Sequence, residues 1–183
     1  IDKSSEEEAI ELIRINSNLN KDNKDQKIID TYIDNDDLYL STFNDTTIKS
    51  GEKCKKFQIF QSKINYSNLE FQNIFTTDDC AIGTVQGGRI QKFLLNSEPG
   101  LLFSTASNEY NVPNFNAQKD DSDYGKILFL NLKNKKKTIY SKGHRNPQGL
   151  FVEGQTIIST EHGPKGGDEI NKILKGQNYG WPI

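Results

Sequence analysis

From Lys27 onward the chain is a succession of short apolar or alternating segments, most of them bounded by Gly, Asn, Asp, Ser or Pro. They read KIIDTYI, DLYLSTF, KKFQIFQSKI, NLEFQNIF, GRIQKFLL, LLFSTAS, KILFLNL, KKTIYS, GLFVEG, TIISTE and EINKIL. Runs this short, punctuated by turn residues, are strands, so the chain beyond Lys27 is expected to be all-β. The runs also group. Four lie before Thr76, four lie between Gly87 and Lys142 around an insertion at Ser107 to Tyr124, and three follow, closing near Asn178 to Trp181. Strands recurring in fours with hairpin-length gaps suit the blades of a β-propeller, here about three of them. A β-sandwich is the competing architecture, because it too is built of many short strands. Propellers close with roughly four to eight blades, so on the propeller reading this chain is a fragment.

The N-terminal stretch differs. Ser5 with Glu8 makes a capping box, and Ala9, Leu12 and Ile13 recur at helical spacing, which predicts a short helix over Ser5 to Ile15. Asn16 to Gln26 is polar without periodicity and reads as a linker. The expected organisation is a helix and linker over 1–27 and a partial propeller over 28–183.

Charge removes two classes of partner. Lys and Arg number 23 against 25 Asp and Glu among 183 residues, a net charge of -2 that offers no field for nucleic acid or an anionic membrane. No apolar run approaches the roughly 20 residues of a membrane span. Met is absent, which fits a segment of a longer exported precursor.

Cys54 and Cys80 flank a hairpin centred on Asn65 to Asn68 and would fall opposite one another, where facing Cβ atoms lie roughly 4.5 to 5.5 Å apart. A bridge is geometrically feasible, and two free thiols are the other outcome.

The chemistry-bearing segment runs from Gly143 to Trp181: GHRNPQGL, STEHGPKGGDEIN and GQNYGWP. Arg145 beside Asn146 and Gln148 offers planar donors for a carboxylate-bearing ligand. Glu161, Asp168 and Glu169, with carbonyls in the Gly163 to Gly167 loop, are hard oxygen ligands suited to Ca²⁺. Turn chemistry alone would use many of the same residues. Gly83 to Arg89 lacks the Lys-Ser/Thr of a phosphate loop, and no Ser/His/Asp triad is argued, because both histidines lie in one C-terminal stretch without a paired nucleophile.

These three phrases, in this order, resemble signatures of the glucose/sorbosone dehydrogenase family, which includes the soluble pyrroloquinoline quinone (PQQ) dependent glucose and aldose sugar dehydrogenases. GGRI at Gly87 and YGKIL at Tyr124 are similar to two more. The resemblance spans roughly Ile28 to Ile183. It implies a six-bladed propeller, about half of which is absent after Ile183, and an oxidoreductase moving a hydride from a sugar hydroxyl to PQQ with Ca²⁺ polarising the quinone. It further implies a periplasmic or secreted protein whose partner is a small sugar. Carried over by position, Arg145, Asn146 and Gln148 would contact the cofactor. The carbonyls of Gly163 and Pro164 would hold its Ca²⁺. Glu169 and Tyr179, with Asp168 beside them, would hold a second, structural Ca²⁺. The resemblance breaks near the family's base His, where this chain reads Thr84, Val85 and Gln86, and near its acidic partner, where it has Ser107; an active enzyme would take its base from a shifted residue such as Glu109 or from the missing half. The alternative function is therefore a catalytically silent, Ca²⁺-stabilised propeller that binds a carbohydrate or other ligand.

Overall fold

The computed structural model describes residues 15–19, 26–48, 50–107 and 116–182. The helix expected over Ser5 to Ile15 lies outside the described residues except for Ile15. Among the described residues every regular element is a strand. β1 (Asn16–Ser17), β2 (Lys27–Asp34), β3 (Asp37–Thr47), β4 (Lys53–Lys63), β5 (Asn68–Leu69) and β6 (Gln72–Thr76) come first. β7 (Gly87–Leu95), β8 (Glu98–Thr105), β9 (Lys126–Asn131) and β10 (Lys137–Lys142) follow. β11 (Pro147–Glu153), β12 (Thr156–Glu161) and β13 (Glu169–Lys172) complete the series.

They form antiparallel sheets in the orders β2-β3-β4-β6, β7-β8-β9-β10 and β11-β12-β13, the grouping expected from the spacing of the runs. Local turn chemistry sets the hairpins. Asn96 and Ser97 both have positive φ (51° and 66°) between β7 and β8, the geometry of a tight primed turn. Two expectations need correction. NLEFQNIF is not one strand, because β5 leaves β6 to pair in parallel with β1. The linker is not wholly loop, since Asn16 and Ser17 form β1 and the Asn18 side chain both donates to Phe71 O (3.0 Å) and accepts from Phe71 N (2.8 Å).

The middle sheet is buried on both faces. Leu101, Phe103, Leu128 and Leu130 join Phe43, Phe57 and Phe75 of the first sheet in one core, with the Phe57 and Phe103 rings stacked at 5.6 Å. Leu102, Ile127 and Phe129 face the other way onto Leu150 and Ile157 of the third sheet. This is why β8 and β9 are near-continuous apolar runs, whereas strands with one wet face alternate. Beyond the third sheet the apolar surface stays open: Phe151 is 54% exposed and Ile170 79%.

The first strands of the sheets lie side by side, β2 against β7 and β7 against β11. Arg89 on β7 staples all three, donating from Nη1 to Asp30 Oδ1 (3.0 Å) on β2 and from Nε to Gln148 O (2.5 Å) on β11. Gly88 makes this approach possible. Its φ is +89°, and a Cβ there would sit 2.7 Å from Ile29 Cγ2.

Cys54 and Cys80 are bridged, closing a sequence separation of 26 residues beside the reciprocal main-chain pair of Lys55 and Ala81. Replacing both by Ala is expected to lower the unfolding free energy by about 3 kcal/mol, through the restored freedom of the unfolded loop. Urea titrations of the two forms check this, and coincident midpoints would refute it.

Candidate functional site

The three C-terminal phrases converge because glycines let their backbones touch. Gly143 has φ +78°, and a Cβ there would lie 2.1 Å from Asn178 Oδ1 and 2.7 Å from Gly180 N. Trp181 N donates to Gly143 O (2.9 Å), so the 178–181 turn is laid directly on the β10 to β11 turn. Gly163 in turn packs on Gly167, whose carbonyl oxygen lies 2.2 Å from the position a Cβ would take. Between these loops opens a cleft of about 170 Å³. Six of the residues singled out in the sequence line it: Arg145, Glu161, Gly163, Pro164, Glu169 and Tyr179. His162 and Trp181 complete its chemically distinctive wall.

Arg145 is the cation of this cleft. Its guanidinium lies 5.3 Å from the centre of the Trp181 ring, and Nη1 donates to His162 O (2.6 Å). Its main chain is fixed as well, by Ser107 N donating to Arg145 O (2.8 Å) and by Arg145 N donating to Glu161 Oε2 (3.2 Å).

Behind the wall lies an array that sequence reasoning missed. Ser141 Oγ and His144 Nε2 are 2.7 Å apart, and His144 Nδ1 and Glu161 Oε1 are 2.6 Å apart, with all three residues buried. The His144 ring also stacks on Tyr179 at 4.7 Å. The order Ser, His, Glu has the connectivity of a nucleophile relay, but the Ser141 hydroxyl is sealed from solvent, so the chain is scaffolding. Glu161 therefore corrects one expectation: it turns inward to His144 instead of offering itself to a cation. Burial pushes its carboxyl up, but donors from His144, Asn171 and the Arg145 amide outweigh burial and hold it below the usual carboxylate range.

The remaining candidates sit elsewhere. Asn146 is buried, its carbonyl taking His162 N (3.2 Å), and its Oδ1 has no hydrogen-bond partner among the described residues. Gln148 and Asp168 face a neighbouring groove, where the His162 ring bridges Gln148 Oε1 (Nε2, 3.1 Å) and Asp168 Oδ2 (Nδ1, 3.4 Å). The Gly163 amide, donating to Asp168 Oδ1 at 2.9 Å, leads the contacts that hold the Asp168 carboxyl below its ordinary value.

The family model for glucose / sorbosone dehydrogenase matches residues 24–183. The chain belongs to the glucose/sorbosone dehydrogenase family. Over 45 residues it is 58% identical to quinoprotein glucose dehydrogenase B of Acinetobacter calcoaceticus, an alignment covering 24% of this chain and 9% of that protein. Over 47 residues it is 53% identical to aldose sugar dehydrogenase YliI of Escherichia coli (strain K12), covering 25% and 13%. A crystal structure of glucose dehydrogenase superposes with a TM-score of 0.67 at 26% identity, covering 87% of this chain and 50% of that one. The apo soluble aldose sugar dehydrogenase of Escherichia coli, at 24% identity and a TM-score of 0.66 over 87% and 50%, shares the fold. The chain thus spans about half the length of these solved structures, and the aligned stretches cover at most 20% of the curated relatives.

Against the expectations for a glucose/sorbosone dehydrogenase, the cleft fits one side of a planar, carboxylate-bearing cofactor with a cation. Arg145 supplies the positive group, and no hydrogen bond among the described residues ends on the carbonyl oxygens of Gly163 or Pro164. A second cation is less well provided for. Among the described residues no three His, Cys, Asp or Glu side chains cluster to hold a metal. Glu169 and Tyr179 share the cleft and Asp168 the adjacent groove, and each has protein partners: Asp168 caps Gly163, Glu169 takes Asn171 Nδ2 (2.9 Å), and the Tyr179 hydroxyl donates to Lys172 O (2.6 Å) while accepting from Leu174 N (2.8 Å). Val85, expected near the family's base position, is buried within the apolar core of the first two sheets. Ser107 is buried beside Arg145 and Trp181, and Glu109 lies outside the described residues.

Proposed function

We propose that the chain forms about three blades of a six-bladed propeller of the PQQ-dependent sugar dehydrogenase type, acting on an aldose in the periplasm or outside the cell. The observation that carries this reading is the Arg145 guanidinium poised over Trp181 in a cleft lined by Gly163 and Pro164. PQQ bound with Ca²⁺ supplies a polarised quinone that accepts a hydride from a sugar hydroxyl carbon. Arg145 would pair with a cofactor carboxylate, and the main-chain carbonyls of Gly163 and Pro164 would hold the cation. The Cys54–Cys80 bridge supports an oxidising compartment.

A second reading, a silent relative that retains ligand without oxidising it, is favoured by Val85 and Ser107. Neither an isopropyl group nor a serine hydroxyl takes a proton at working pH.

Titrating the full-length polypeptide with PQQ, with and without Ca²⁺, and assaying dye reduction with several aldoses tests both. Tight Ca²⁺-dependent binding with turnover is expected. Binding without turnover selects the silent relative, and no binding defeats the cofactor cleft. Arg145→Ala should weaken binding roughly 10- to 100-fold, the worth of hydrogen bonds to a charged group.

A further inference from the structure

We propose that Trp181 is a positioning residue, whose indole face fixes the Arg145 guanidinium for a flat, carboxylate-bearing ligand. This rests on the cofactor cleft proposed above. Trp181 is held at several points around the guanidinium. Its Nε1 donates to Ser107 O (2.7 Å), its amide donates to Gly143 O (2.9 Å), and its carbonyl accepts from Gln118 Nε2 (2.6 Å). Ser107 closes a ring by donating its own amide to Arg145 O (2.8 Å). The indole and the Arg145 backbone therefore hang from one residue, and the guanidinium 5.3 Å from the ring centre has its position set relative to both.

A long, rotamer-rich arginine otherwise loses freedom when it captures a ligand, which weakens capture. Here that loss is met in the folded protein, by attraction to the indole face and by the bond from Nη1 to His162 O (2.6 Å). The indole also presents a broad flat surface beside the cation. That combination favours a planar aromatic carboxylate over a compact tetrahedral anion such as phosphate.

Calorimetric titration of the full-length polypeptide with PQQ and Ca²⁺ tests the role, in the wild-type and Arg145→Ala backgrounds. Trp181→Leu should weaken binding roughly tenfold, within the range of a partly desolvated cation–π contact, and Trp181→Phe only about threefold because the ring face remains. Neither substitution should weaken binding further once Arg145 is Ala, since the effect travels through the guanidinium. Equal losses in both backgrounds, or wild-type affinity in W181L, would overturn the proposal while leaving the cofactor cleft standing. Should W181L not fold, W181F in the two backgrounds decides by the same criterion. Absence of PQQ binding by the wild-type protein overturns both proposals.

Discussion

Replacing His144 by Phe is expected to lower the unfolding free energy by about 3–5 kcal/mol, the cost of leaving a buried charge without its partner. The charge is the Glu161 carboxylate, 6% exposed, which accepts from His144 Nδ1 at 2.6 Å. Its other donors are longer: Arg145 N at 3.2 Å, and Ser159 Oγ and Asn171 Nδ2 at 3.3 Å each. None of them replaces a short charge-assisted bond. The effect extends into the cleft, because Glu161 also anchors the Arg145 amide and the His144 ring lies against Tyr179. Denaturant unfolding of H144F checks the magnitude. A loss under 1 kcal/mol would mean that the pair contributes no more than an exposed one. Ser141→Ala should cost far less, since it removes only the outer end of the array.

Lys126→Met is expected to cost about 2 kcal/mol at pH 7 and about 5 kcal/mol near pH 10.5. Lys126 is fully buried, and its Nζ donates to the carbonyls of Asn116 (2.6 Å), Tyr124 (2.8 Å) and Ala117 (3.2 Å). An ammonium has three donors and the site has three acceptors. Two of those acceptors keep a second partner, Lys119 N on Asn116 O and Gly143 N on Ala117 O, so Tyr124 O bears most of the neutral-pH cost. Burial outweighs the attraction of Asp79, Asp120 and Asp123 and brings the lysine down to about 8 from an ordinary 10.5. Between those values the unfolded chain binds more protons than the folded one, so this residue's contribution to stability rises with pH across that window and is lost again as pH falls through 8. Two and a half pH units at about 1.4 kcal/mol each give the added 3 kcal/mol, which a methionine cannot supply. Urea titrations at pH 7, 9 and 10.5 measure the difference. A gap between the two proteins that stays constant with pH would refute the buried-ammonium account.

The architecture was largely legible because it depends on local patterns. Short runs and turn residues separate the strands, and two-sided burial explains the unbroken apolar text of GLLFST and KILFLN. NLEFQNIF misleads because the segment that splits it, through Asn18, lies 53 residues away from Phe71. The cleft was legible where a phrase carries the chemistry itself, as with Arg145 and Gly163-Pro164. Proximity in a phrase did not predict a shared wall, because Asn146 precedes β11 and the register shifts between Pro147 and Gly149: Asn146 is buried, and Gln148 serves the adjacent groove. The buried array of Ser141, His144 and Glu161 has no sequence signal, since its members meet only when β10 and β12 are brought together. The same holds for Trp181 and Ser107, 74 residues apart.

Ser107 grips Arg145 and Trp181 with its amide and carbonyl alone. Both groups belong to the main chain, so any residue small enough for the buried Ser107 site keeps the contacts to Arg145 and Trp181 whatever its side-chain chemistry. Exchanging the Ser107 side chain for another small one therefore leaves the support of the guanidinium in place, so chemistry at this position and the seat of Arg145 can change independently.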